Sequence, residues 1–149
     1  MIFVPHTETD YEIANSYLSV ADADDIINKQ NNSENWQGLD NPTKEMLLMQ
    51  SSLAVDGAFM YAGARTSSNQ LLKYPRNELL TLPTNIKFAT ALTALKYSND
   101  DIFKNIKKEK ISKHETEFFA KGEIDDDVLA FLKPLRATTV KIKAGNSSE

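Results

Sequence analysis

Apolar positions recur with a helical period in several stretches of this chain, and the polar residues between them read as stops and starts. Ser19 is a good N-cap, with Asp22 three residues on and Asp24 and Asp25 in the opening turns, where carboxylates meet the positive end of the helix dipole. A first helix is predicted from about 20 to 30, ending in the polar cluster Asn31-Asn32-Ser33, with Trp36 in the following loop and packed back on the core. Asn41-Pro42 reads as a cap followed by proline at the first helical position. The helix it opens carries Leu48, Ser52, Val55 and Phe59 on one stripe and Met46, Met49, Leu53 and Met60 on another, which predicts burial on more than one side, with Gly63 as its end. Pro83 opens a third helix, with Phe88, Leu92 and Leu95 at i, i+4 and i+7. Between these helices residues 64–82 form an irregular connection, which Pro75 keeps from continuing as helix.

Past Asp100 the texture changes. NIKKEKISKHETEFF has no helical period, and a poor hairpin or an extended arm is expected over about 104–119. Asp125-Asp126-Asp127 caps a short helix through VLAFLKPL, ended by Pro134. TTVKIK at 138–143 alternates like a strand without a partner in the chain, and AGNSSE at 144–149 is expected to be loose. The expectation is a mainly α fold: a small bundle of about four helices in a domain spanning 1–136, with a short β-hairpin or extended arm and an extended C-terminal tail, 137–149.

Composition agrees with one ordinary globular domain: 149 residues, 41% apolar and 26% charged. The chain has no cysteine, which removes disulfides and thiol chemistry, and its two histidines, His6 and His114, cannot alone furnish a structural zinc site. The start MIFVPHTETDYE has no basic segment and does not read as a signal peptide, and no apolar run is long enough to span a membrane.

Charge is placed unevenly. Residues 1–25 carry Glu8, Asp10, Glu12, Asp22, Asp24 and Asp25 without a single lysine or arginine. Residues 104–113 hold five lysines against Glu109, and the last stretch is basic again through Lys133, Arg136, Lys141 and Lys143. Such runs are either solvated surface or an acidic and a basic side suited to association with copies of the chain or with a partner.

Catalytic patterns are missing from the sequence. No phosphate loop and no nucleophile elbow is present, and the calcium-loop start Asp22-Ala-Asp24 fails where Ile26 falls on the next ligand position. His114, among lysines and glutamates, reads as a surface residue. The expectation is a protein that is not an enzyme and has no cofactor and no metal. The lysine run at 104–113, with Phe103, Phe118 and Phe119 beside it, has ingredients of a single-strand binder, although the rings flank the cations and do not interleave with them.

Several stretches, taken in order, resemble the head-tail connector (adaptor, or head-completion) proteins of tailed bacteriophages, many of which are labelled putative DnaT-like single-stranded DNA-binding proteins. They are Asn15-Ser16-Tyr17-Leu18-Ser19 with Ala21-Asp22; Gly63-Ala64-Arg65, Gln70-Leu71-Leu72 and Tyr74-Pro75-Arg76; Leu82-Pro83 with Ile86 and Ala89; and the Lys/Glu-rich segment from Ile106 to Lys113. Asp10 and Ser112 stand where glycine is usual, and the resemblance covers roughly residues 8 to 135, leaving the tail from Ala137 outside it.

The resemblance implies a structural subunit of a virion neck, made in the host cytoplasm and assembled as a ring, a dodecamer, under the portal. Its partners would be further copies of itself, the portal protein, and tail or head-closure proteins. Genomic DNA would pass through the channel without sequence-specific binding. Partner contacts would fall on Arg65, Arg76, Lys107, Lys108, Lys110, Lys141 and Lys143. Tyr74-Pro75-Arg76 is expected to be a fixed bend whose arginine pairs with an acid in the same or a neighbouring subunit. The alternative is a single-stranded DNA-binding replication protein that depends on Lys107, Lys108 and Lys110.

Overall fold

The computed structural model describes residues 2–100 and 124–137. Among these the chain is mainly helical, with five helices: α1 (Val20–Ile27), the single turn α2 (Glu34–Gln37), α3 (Asn41–Ala58), α4 (Thr84–Ser98) and α5 (Asp126–Leu132), the last running into a 3₁₀ turn, Lys133–Leu135. The bundle is as expected, with α2 in addition. The expected hairpin or arm at 104–119 and the strand at 138–143 lie outside the described residues.

Most helix starts follow their capping chemistry. Ser19 accepts the amide of Asp22 at 3.1 Å, and Pro83 stands immediately before α4. The start of α3 is one residue earlier than Asn41-Pro42 implies: Asp40 is the cap, accepting the Thr43 amide at 3.0 Å, and Asn41 is already helical. Gly63 is not the end of α3. The helix stops at Ala58, and Gly63 sits in the following loop at φ +82°.

The two long helices form the centre. Leu47 and Leu48 of α3 share a core with Ala91, Ala94 and Leu95 of α4, while Val55 shares a second core with Ile86 and Ala89. These pairings run in opposite directions along the two helices, so α3 and α4 are antiparallel. The buried face of α4 is rich in small side chains, among them Ala89, Thr90, Ala91, Thr93 and Ala94. Small residues allow close helix approach. Of the expected stripe, Leu95 is in the first core and Leu92 packs against the second, while Phe88 is 39% exposed. On α3 the buried residues spread widely round the helix, from Gln50 through Leu47 and Leu48 to Asp56. Of the second expected stripe, Met46 packs against the first core, Leu53 is 55% exposed, and Met60, beyond the helix end, is 75% exposed.

Trp36, on α2 and not in a loop, has no exposed surface and closes one end of the first core. Its indole Nε1 donates to Asp24 Oδ1 at 2.8 Å, and Lys44 Nζ donates to the same oxygen at 3.0 Å. A buried indole needs such a partner, because an unmet N–H in the core costs about 1–3 kcal/mol. Asp24 is therefore committed to holding α1, α2 and α3 together.

Candidate functional site

Among the described residues, hydrogen bonds are dense in the connection between α3 and α4 and in the turns it packs against. The N-terminal stretch sets the base of this region. Asn15 donates to the Ile2 carbonyl at 2.7 Å and accepts the Val4 amide at 2.8 Å, which lays residues 2–6 alongside residues 13–16. Ser16 Oγ donates to Leu18 O at 2.7 Å, and the Tyr17 amide donates to Ser52 Oγ on α3 at 2.9 Å.

Tyr17 then reaches under the loop. Its hydroxyl donates to Asp56 Oδ1 and accepts the Tyr74 amide at 3.1 Å, while Asp56 Oδ2 accepts the Lys73 amide at 3.0 Å. Burial raises both pKa values, that of the Tyr17 phenol and that of the Asp56 carboxyl. For Asp56 the Tyr17 and Lys73 hydrogen bonds and the charges of Lys73 and Arg65 work in the opposite direction.

Arg76 organises the loop from the other side. Its Nε donates to Ala62 O at 2.9 Å, Nη1 to Lys73 O at 3.0 Å, and Nη2 to Gly63 O at 2.6 Å and Tyr61 O at 3.2 Å. The expected partner, an acid, is not what Arg76 holds: the planar fork matches main-chain carbonyls that have no place in a helix or sheet. Gln70 does similar work, with Nε2 donating to Leu72 O and Pro75 O, both at 2.9 Å. Tyr74 and Pro75, joined by a cis peptide bond, are buried as the bend expected from the sequence. The Tyr74 ring packs edge-on against Tyr61 at 5.2 Å between centroids, and Tyr61 against Phe59 at 6.4 Å.

The two arginines singled out in the sequence are brought together. Arg65 and Arg76 pair across an antiparallel bridge, with the Asn77 amide bonded to Ala64 O at 2.8 Å and the Thr66 amide to Pro75 O at 3.0 Å. Arg65 Nε also donates to Leu72 O at 3.3 Å. Lys107, Lys108, Lys110, Lys141 and Lys143 lie outside the described residues.

Two further cations, Lys73 and Arg136, meet at Tyr61, and the carbonyl of a third, Lys133, accepts the Arg136 amide at 3.2 Å. Lys73 Nζ lies 5.8 Å from the centre of the Tyr61 ring. Arg136 pairs with Tyr61, and the flanking amides of Ala62 and Ala137 donate to Leu135 O at 3.0 Å and Met60 O at 2.6 Å. Lys133, at the start of the 3₁₀ turn, is exposed like Arg136. Only pairing across 75 residues of sequence assembles this group, so no local pattern could have shown it. The sequence does carry one signal: residues 57–99 hold Arg65, Lys73, Arg76, Lys87 and Lys96 against Glu78 alone, while residues 1–56 hold two cations against ten acids.

Beside this cluster is an open cleft of about 180 Å³. Tyr74, Pro83, Pro134 and Leu135 give it carbon walls, and Arg76, Asn77 and Thr81 give it polar edges. Among the described residues no group of histidine, aspartate and glutamate side chains could hold a metal ion. What the region offers chemically is fixed positive charge and hydrogen-bond donors on a rigid loop, suited to an anionic polymer.

This mainly helical chain carries an arginine-fixed loop with further cations beside it. The chain belongs to the family described as "Putative DnaT-like ssDNA binding protein", whose model matches residues 2–145. No curated protein and no solved structure matches it.

The family match corrects the connector expectation. The family is described by single-stranded DNA binding, and nothing found points to a phage head-tail connector, to a ring under a portal, or to portal, tail and head-closure partners. DNA as mere passing cargo falls with them. The match also reaches Gly145, across most of the stretch that the resemblance left outside.

Proposed function

We propose that this chain binds single-stranded DNA by its phosphates and performs no chemistry on it. The observation that carries the reading is membership, over residues 2–145, of a family described as binding single-stranded DNA. The placing of Lys73 and Arg136 about Tyr61, with Lys133 on the turn before Arg136 and Arg65 on the same loop as Lys73, supports it, because phosphate contacts supply most of the affinity in sequence-tolerant binding. Arg76 acts here as a positioning residue that fixes the loop presenting the others. Lys107, Lys108, Lys110, Lys141 and Lys143 add phosphate contacts on either side of α5 in the sequence.

Fluorescence anisotropy of a labelled oligo-dT about 16 nucleotides long, titrated with the full chain, tests this. Nine neutralised phosphates, four at the folded edge and five at the flanking lysines, should give a slope of log affinity against log salt of about −6, since each contributes roughly −0.7 on a single strand. Neutralising Lys133 and Arg136 together should flatten that slope. No binding even at low salt, or binding that prefers duplex of the same sequence, sinks the reading.

A further inference from the structure

The cleft beside the cationic edge has features that phosphate binding does not use. Pro134 and Leu135 form part of its wall, and they are flanked in sequence by Lys133 and Arg136, both exposed. A strand held by those two cations therefore runs past the cleft mouth. At about 180 Å³ the space is smaller than the roughly 300–1,000 Å³ of sites that enclose drug-sized ligands, which suits one planar ring system. Pro83 and Leu135 supply flat carbon surface for its faces.

The polar edge is rich in donors. Four of the five N–H groups of Arg76 are bound to carbonyls of the loop, leaving one on Nη1. Asn77 uses its Oδ1 to accept the Ala64 amide at 3.3 Å, which leaves Nδ2 without a partner among the described residues. Thr81, also exposed, has a hydroxyl with no bond among the described residues. Three donors around a carbon-walled slot match a ring that carries carbonyl oxygens.

We propose that this cleft holds one unstacked nucleobase of the bound strand, with a carbonyl-bearing base such as thymine favoured. The proposal rests on the single-stranded DNA reading and adds to it a base site distinct from the phosphate contacts.

The test uses the full ¹⁵N-labelled chain, an oligo-dT, and an abasic oligonucleotide of the same length and charge. Amide resonances of Ala62, Leu79 and Thr81 should shift with oligo-dT and stay in place with the abasic strand, which should bind about three- to tenfold more weakly, as expected for losing a hydrogen bond or two. Thr81→Leu fills the slot with carbon at an exposed position. It should melt like the wild type and bind oligo-dT no better than the wild type binds the abasic strand. If oligo-dT binds tightly while the cleft amides stay in place and Thr81→Leu changes nothing, the base site is wrong and the phosphate reading stands. If neither oligonucleotide binds, both fall together.

Discussion

The Tyr17 hydroxyl donates to Asp56 and accepts from the Tyr74 amide, so one buried oxygen ties the N-terminal turn to α3 and to the α3–α4 loop. Removing it with Tyr17→Phe leaves a buried carboxylate short of a partner and an amide with none. Each unmet buried group costs about 1–3 kcal/mol. Urea unfolding should show a lower midpoint at unchanged slope for this variant. An unchanged midpoint means the contact is not made in solution.

Asp56 also gives the stability a readable pH dependence. Burial raises its folded-state pKa above the ordinary carboxylate value. As pH falls through that raised value, the native protein takes up a proton that the unfolded chain takes up only at lower pH, so this group adds stability on acidification. Conversely, that contribution is lost as pH rises through the folded value. Asp56→Asn has no such proton to bind. The stability of the wild type minus that of Asp56→Asn should therefore grow between neutral pH and about pH 4. A difference that shrinks over this range contradicts the assignment.

Arg76 is predicted to matter for shape before charge. Arg76→Lys keeps the positive charge but cannot reproduce a planar fork reaching four carbonyls. It should cost about 1–2 kcal/mol, because the bonds lost are part-buried or exposed. Thermal melting of Arg76→Lys beside Arg65→Lys separates the roles, since Arg65 makes one long bond to Leu72 and should tolerate the change. Equal melting temperatures for the two variants would remove the clamp from the account.

Local chemistry made much of this fold legible: Ser19 as a cap, Pro83 as a helix start, Pro75 as a bend. It failed where the partner is distant. Leu53 has the right period for burial but faces away from the neighbours of α3, and Met60 falls beyond the helix end at Ala58; periodicity says neither how many neighbours a helix has nor where it stops. Arg76 looked like half of an ion pair because its carbonyl partners carry no side-chain signal. The motif from Asn15 to Ser19 was visible, but its residues turn out to be framework: Asn15 pins residues 2–4, Tyr17 braces the loop and Ser19 caps α1. Framework residues report a fold. They could not distinguish a structural connector from a DNA binder, and the functional expectation built on them was the one that needed correcting. The edge formed by Arg136 and Lys73 depends on pairing between residues 60–62 and 135–137, which no stretch of sequence displays.

Two glycines give opposite predictions. A Cβ on Gly57, inside α3, would meet nothing within 4 Å, so Gly57→Ala should stabilise by about 0.5–1 kcal/mol through lost freedom of the unfolded chain. A Cβ on Gly63 would lie 2.0 Å from Asn77 Oδ1, at a backbone φ of +82° that favours glycine. Gly63→Ala should therefore destabilise, by roughly 2 kcal/mol or more. Differential scanning calorimetry of both variants should move the melting temperature in opposite directions; movement in the same direction refutes the loop geometry at Gly63.

The last prediction separates the folded edge from the flanking basic sequence. If phosphates are held jointly, neutralising Lys133 and Arg136 should weaken oligo-dT binding and reduce the salt slope by about 1.4, two contacts at roughly 0.7 each. Neutralising Lys107, Lys108 and Lys110 should reduce it by about 2 for the same reason. Lys29→Ala, in the acidic first half of the chain, should leave the slope alone. Because counterion release adds contact by contact, the combined variant should lose the sum of the two reductions. A combined slope equal to that of the 107–110 variant alone assigns binding to that segment and takes Lys133 and Arg136 out of the interface.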